Sequence, residues 1–362
     1  MDQNRFAHGG DVYAFQKRYH RAPIDFSANI NPLGMPEEAI MAYREAEQNL
    51  TRYPEPSCGT LIKELAAFEG ISGSYLLCGN GAADLIYRFM FAARPQRALL
   101  PAPTFSEYER ALQAVGAQID FHMLREGDGF SLTEEILPAI AGHDLLVLCN
   151  PNNPTGTVAP KKLMTKILEE CNKQSCLLLV DECFMDFTDR RGTLTDCFRS
   201  TLLVPQTPNL IILKAFTKTF AMPGLRLGYC MTYNRELLHK MVLCGPCWNV
   251  SVPAMACGQA ALQDKGFLRR TRSYLKVERQ RLIDGITRLG GGVYGSKANY
   301  IFFRYPDKTL HQKLCDCGFL IRDCGNYRGL EAGYYRIAVR TEEENEALLA
   351  AMRQIADQDQ ER

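Results

Sequence analysis

The 362 residues are 46% hydrophobic and 23% charged, which suits an ordinary globular protein with one large domain and a smaller one. Because 42 Lys and Arg nearly cancel 41 Asp and Glu, global charge favours neither nucleic acid nor an anionic membrane as a partner. No apolar run approaches the ~18 residues of a membrane span, the opening MDQNRFAHGGDVYAFQ has no signal-peptide core, and the 14 cysteines show no disulfide spacing, so a reducing cytoplasm is the expected setting.

Residues 1–44 read as an N-terminal arm that helps complete a small domain. Residues 45–245 read as a large α/β domain. Its strands are expected at 75–78 (YLLC), 97–103, 144–150, 176–182, 209–216 and 227–233. Helices are expected between them at 82–94, 105–115 and 160–173, the last opening at Pro160. Several strands are continuous apolar runs rather than alternations, which predicts a mostly parallel sheet sandwiched by helices. Cys149, Cys176 and Cys230 fall in such runs and read as small buried hydrophobes.

The CGPC stretch, 244–247, has the C-x-x-C spacing of thioredoxin-like proteins but lies late in the chain. A thiol-redox role for Cys244 and Cys247 remains an alternative. No second Cys/His pair stands at ligand spacing, so no metal site is expected. Residues 246–362 read as a long connecting helix, 253–289, followed by a small α+β domain. The arginines of 268–281 form a solvated face there, with Leu275, Leu282 and Ile286 turned inward. Thr341 and Glu344 predict a capping box for a final helix through Ile355.

In open parallel sheets ligands bind beyond the carboxyl ends of the strands. GNGAAD follows the first strand, where Gly81, Ala82 and Ala83 let backbone amides approach a phosphate at a helix start. The same glycine also serves plain turn geometry. Phe105 follows the second strand, either as core or as a cover for a flat ring. Asn153 sits in NPNNPTG after the third. Asp181 ends an otherwise apolar fourth strand, where a lone carboxylate is costly unless paired. Thr217, Lys218 and Arg226 follow the fifth. One cofactor uses them all, pyridoxal 5′-phosphate. Lys218 would bond its aldehyde, Asp181 would pair with its ring nitrogen, and Asn153 would touch the ring hydroxyl. Arg226 and the 79–83 turn would hold its phosphate.

With SANINPLG (27–34), RYPEP (52–56), GNGAAD, NPNNPTG, DECF, TKTFAMPGLRLGY and YYRIAV, the chain resembles the fold-type-I pyridoxal-phosphate enzymes of the class I/II aminotransferase superfamily. The resemblance covers about His8 to Ile355. It implies that Tyr53 reaches the phosphate of a neighbouring subunit in a homodimer, that Arg336 grips a substrate carboxylate, and that Asn31 lines the substrate site. Relatives usually carry a hydroxyl where this chain has Ala215.

Two branches of the family compete. HGGDVY (8–13), DFSANINPLG, FLIRDCGNYRGL (319–330), Phe184 and Arg340 in RIAVRTEEEN resemble the threonine-phosphate decarboxylases of cobalamin synthesis more than the histidinol-phosphate aminotransferases. The implied reaction is decarboxylation of O-phospho-L-threonine to (R)-1-aminopropan-2-ol phosphate. O-phosphoserine decarboxylation, 2-oxoglutarate-dependent transamination of histidinol phosphate and a non-catalytic role are the alternatives. The substrate phosphate is assigned to Arg322, with Arg340, His8 and Asn31 beside it. Asn153 also faces substrate. A competing reading makes these arginines surface salt bridges.

Overall fold

The computed structural model describes residues 8–190, 192–198 and 207–360 of the chain. Helix α1 (Val12–Tyr19), strand β1 (Ile24–Asp25) and helices α2 (Glu37–Ala46) and α3 (Gly59–Glu69) lead into a seven-stranded sheet. Its strands are β2 (Leu76–Gly79), β3 (Arg97–Ala102), β4 (Gln118–Met123), β5 (Leu145–Cys149), β6 (Leu177–Asp181), β7 (Leu210–Ala215) and β8 (Gly228–Thr232). Their spatial order is β2-β8-β7-β6-β5-β3-β4. The pairs made by β3 to β7 among themselves are parallel, and β8 runs antiparallel to both of its neighbours. Helices α4 (Gly81–Ala93), α5 (Glu107–Ala114), α6 (Ile136–Ala139), α7 (Lys161–Lys173), α8 (Phe216–Thr219) and α9 (Arg235–Leu243) occupy the connections.

The apolar strands bury both faces because each face has its own core. Leu146, Leu178, Leu210 and Ile212 pack with residues of α3 and α7. Their chain neighbours Leu145, Leu179, Ile211 and Leu213 pack with residues of α4, α5 and α9 on the opposite side. Strand β4 was not expected from the sequence. It is an edge strand whose Ile119 and Phe121 alternate with Asp120 and His122, so it lacks the continuous apolar run of the central strands. At Gly228 a Cβ would come within 2.7 Å of the Ala82 nitrogen. Glycine there lets β8 lie directly beneath the start of α4.

The expected helix over 253–289 is two helices, α10 (Val252–Gln263) and α11 (Phe267–Arg288). Asp264 makes the break. Its carboxylate accepts from the Gly266 nitrogen at 3.1 Å and pairs with Arg270 on the next helix. Leu275, Leu282 and Ile286 are buried on α11. Its Arg281 is not simply solvated. It pairs with Glu342 and Glu346 of the last helix.

Strands β9 (Gly292–Tyr294) and β10 (Tyr300–Arg304), helix α12 (Leu310–Asp316), and strands β11 (Phe319–Leu320), β12 (Arg322–Asp323) and β13 (Tyr334–Ala338) precede α13 (Glu342–Gln360). The second sheet is antiparallel in the order β12-β13-β10-β9, while β1 pairs in parallel with β11. The N-terminal segment thus joins the C-terminal part of the chain. The capping box forms: the Glu344 nitrogen donates to Thr341 Oγ1 at 3.3 Å, and Thr341 N donates to Glu344 Oε2 at 3.4 Å. Among the described residues no helix is long and apolar enough to cross a membrane.

Candidate active site

Strands β2, β3, β5, β6 and β7 end at one edge of the large sheet, and a cavity of about 390 Å³ opens there. Its walls come from just beyond those ends. Ala82 and Ala83 follow β2, Phe105 and Tyr108 follow β3, and Asn153 follows β5. Asp181 closes β6, and Thr217 and Lys218 follow β7. Arg226, Arg336 and His8 complete the polar lining.

Asp181 is buried, and each of its oxygens has a donor. Tyr108 donates its hydroxyl to Oδ2 at 2.6 Å, and the Cys183 nitrogen donates to Oδ1 at 2.9 Å. Burial, together with the charge of Asp181, holds the Tyr108 proton well above the ordinary phenol range, so Tyr108 acts as a donor. Both partners of the carboxylate are therefore neutral. Across the cavity wall, Lys218 has its amine lowered to about 8. Burial is the main cause, and the positive charges of Arg336 and Arg226 add to it while Cys183 opposes them.

Arg226 has a left-handed backbone, φ 59°, in the loop before β8. Its guanidinium lies so close to α4 that a Cβ at Gly81 would stand 2.8 Å from Nη2. Gly81 itself has φ 81°, so the position requires glycine for two reasons. A guanidinium and the first free amides of a helix of 13 residues converge there, a combination suited to an anion. Thr217 adds a hydroxyl residue to the same wall, and Ala215 supplies none.

Arg336, on β13, is buried. It donates through Nη1 to Asn153 Oδ1 and through Nη2 to the Ser27 carbonyl. Its Nε has no partner among the described residues. Phe105 packs edge-on against Tyr108, with ring centroids 5.5 Å apart. His8 Nε2 lies 2.8 Å from Glu107 Oε1 at the cavity mouth.

Gly81 lies behind Arg226 rather than in the cavity lining, and four other expected residues do not line it. Asn31 is buried elsewhere. Its amide donates to the Thr219 carbonyl at 2.8 Å and to Thr271 Oγ1 at 3.0 Å, and its oxygen accepts from Leu33 N, so its bonding capacity ties three segments together. Asn29 lines the cavity instead, and its buried Oδ1 has no partner among the described residues. Arg340 grips Glu344 with two bonds of 2.8 and 2.9 Å and donates to the Asp25 carbonyl, which ties the first turn of α13 to β1. Arg322 lines an adjoining groove of about 540 Å³ that shares His8, Gly9 and Ser27 with the cavity. Tyr53 is 80% exposed, and its ring stacks on Trp248 at 4.6 Å.

Tyr108 was missed by sequence reasoning, although the helix expected over 105–115 would put it on one face with Phe105; α5 in fact starts at Glu107, and Phe105 lies just before it. Cys183 and Tyr327 also line the cavity without having been singled out for it. Cys244 and Cys247 are exposed and do not line it.

Residues 21–352 match the family described as aminotransferase class I and II. The chain is 35% identical to the threonine-phosphate decarboxylase of Salmonella typhimurium, over 96% of each chain. It is 29% identical to histidinol-phosphate aminotransferase 2 of Archaeoglobus fulgidus, over 92% of this chain and 93% of that one. The crystal structure of the histidinol-phosphate aminotransferase from Clostridium acetobutylicum superposes with a TM-score of 0.85 at 27% identity, covering 92% of this chain and 99% of that one.

Proposed function

The chain belongs to the class I and II aminotransferase family, and from that premise we propose that it is a pyridoxal 5′-phosphate-dependent decarboxylase of O-phospho-L-threonine. The products would be (R)-1-aminopropan-2-ol phosphate and CO2, for cobalamin synthesis. The observation that carries the chemistry is the single cavity shared by the Lys218 amine and the Asp181 carboxylate. The similarity to a threonine-phosphate decarboxylase along nearly the whole chain supports the choice of substrate.

The residues present fit this cofactor. A buried carboxylate held by two neutral donors suits a cationic ring nitrogen. A lysine amine with a pKa of about 8 suits attack on an aldehyde. Arg226 against the start of α4 suits a phosphate monoester. When bound, pyridoxal phosphate supplies an electron sink for the bond that breaks at the substrate Cα.

The chain's own groups do the rest. Asp181 would hold the proton of the ring nitrogen, with Tyr108 fixing the carboxylate in place. Phe105 would cover the ring and Asn153 would meet its oxygen. Thr217, Arg226 and the Gly81–Ala83 amides would hold the cofactor phosphate. Arg336 would exchange its contact with Asn153 for the substrate carboxylate and so orient the bonds at Cα. Arg322 and His8 would take the substrate phosphate. Lys218 Nζ would supply the proton that Cα needs after CO2 loss. Tyr53 would complete the site of a neighbouring subunit in a homodimer, and the cytoplasm is the proposed setting.

A second reading, transamination of histidinol phosphate, is favoured by the TM-score of 0.85 to an enzyme of that name. One experiment separates the two. Cofactor-loaded protein is given O-phospho-L-threonine, O-phosphoserine and histidinol phosphate, and CO2 release and 2-oxoglutarate consumption are followed. CO2 from phosphothreonine without any oxo acid is expected. Phosphoserine should react more slowly, since one methyl is worth about 1–3 kcal/mol. Oxo-acid-dependent turnover of histidinol phosphate alone would overturn the proposal.

A further inference from the structure

We propose that Arg328 is a positioning residue for the substrate phosphate, acting on Arg322 through the loop that joins β12 to β13. The inference rests on the reading of Arg322 as a phosphate contact. Three consecutive loop residues carry it. Asn326 Oδ1 accepts from Arg322 Nη2 at 2.8 Å. The ring of Tyr327 has the Arg322 guanidinium 5.2 Å from its centroid, and Tyr327 also lines the cavity. Arg328 then fastens the loop to the other sheet. Its guanidinium lies 3.8 Å from the ring centroid of Phe121 on β4, and Nη2 donates to Glu109 Oε1 on α5 at 3.1 Å.

Glu109 is buried while the Arg328 side chain is 36% exposed, so the ion pair is partly screened and the Phe121 ring under the guanidinium supplies a second hold. The loop itself is two tight turns, Tyr327 N to Cys324 O and Leu330 N to Tyr327 O, with Gly329 at φ 83°. Helix α5 adds a reason why the hold matters. Its successive residues Glu107, Tyr108 and Glu109 contact His8, Asp181 and Arg328. One helical turn therefore sets the carboxylate in the cavity and both groups of residues assigned to the substrate phosphate.

The test uses cofactor-loaded protein and isopropyl phosphate, a phosphomonoester with neither amine nor carboxylate, titrated by calorimetry. Arg328→Ala should bind it about tenfold more weakly, a difference of about 1.4 kcal/mol. It should raise KM for O-phospho-L-threonine to a similar degree and leave kcat nearly unchanged. Glu109→Gln should shift binding in the same direction, and Arg328→Lys should fall between, having charge without the planar fork. In an Arg322→Ala background, Arg328→Ala should add nothing further to KM. Unchanged binding in Arg328→Ala, a full additional loss in the Arg322→Ala background, or a fall in kcat at constant KM would each overturn the inference. An unaltered protein that neither binds isopropyl phosphate nor releases CO2 from phosphothreonine would remove the reading beneath it as well.

Discussion

Lys214 and Lys218 stand at either side of the junction between β7 and α8, and protein encloses both amines. Burial pushes each toward its neutral form. Around Lys214, Asp186 at 3.6 Å and Glu69 at 3.0 Å outweigh that push, and its pKa rises. Around Lys218, Arg336 and Arg226 reinforce it, and the pKa falls to about 8. Depth alone therefore does not decide what a buried lysine becomes. The sign of its neighbours keeps one a cation bonded into the core and lowers the pKa of the other, which suits the aldehyde-binding role proposed for it.

Exchanging each lysine for alanine is the strongest way to break this comparison. Lys218→Ala should lower turnover by on the order of 10⁴-fold or more. Borohydride should then fix no chromophore to the chain, while urea unfolding shifts little. Lys214→Ala should do the reverse, costing about 3–5 kcal/mol in urea unfolding because buried Glu69 loses the cation at 3.0 Å and Asp186 is left, among the described residues, with Arg190 alone. Its folded fraction should still take the borohydride label.

Tyr108→Phe sharpens the contrast on the carboxylate side. Removing a donor to a charged group costs about 1.5–3 kcal/mol, so cofactor should be lost more than tenfold faster on dialysis. The pH dependence comes next. A Lys218 pKa near 8 means the neutral amine grows from roughly a tenth to roughly nine-tenths between pH 7 and pH 9. Attachment of pyridoxal phosphate to the cofactor-free chain, monitored by stopped-flow absorbance, should speed up about tenfold over that range and then level off. A rate still climbing at pH 10 would make Lys218 an ordinary lysine. The smallest effect is expected for Arg340→Ala, about 1 kcal/mol of stability with an unchanged KM for phosphothreonine, since its partners are Glu344 and a backbone carbonyl.

The residues just past the parallel strands were legible in the sequence, because topology alone brings strand ends to one edge. Phe105, Asn153, Asp181, Lys218 and Arg226 all line the cavity for that reason. The failures depended on side-chain direction in irregular chain. Asn29 and Asn31 would share a face in an extended segment, but Ile30 N bonds to Ala28 O and Gly34 N to Asn31 O, so the chain turns and separates them. Arg340 resembles a substrate-binding arginine by its family neighbourhood, yet Glu344, four residues along, has a carboxylate in reach and takes it. The break at 264–266 did have a signal, an Asp and a Gly in one short stretch, which a continuous apolar spacing on both sides obscured.

The stacking of Trp248 on Tyr53 has a practical consequence, because Trp248 is the chain's one tryptophan. Fluorescence excited at the red edge comes from a single indole resting on Tyr53, the residue proposed to reach a neighbouring subunit. The proposed homodimer therefore predicts that the emission colour changes when the enzyme is diluted, with no dye attached.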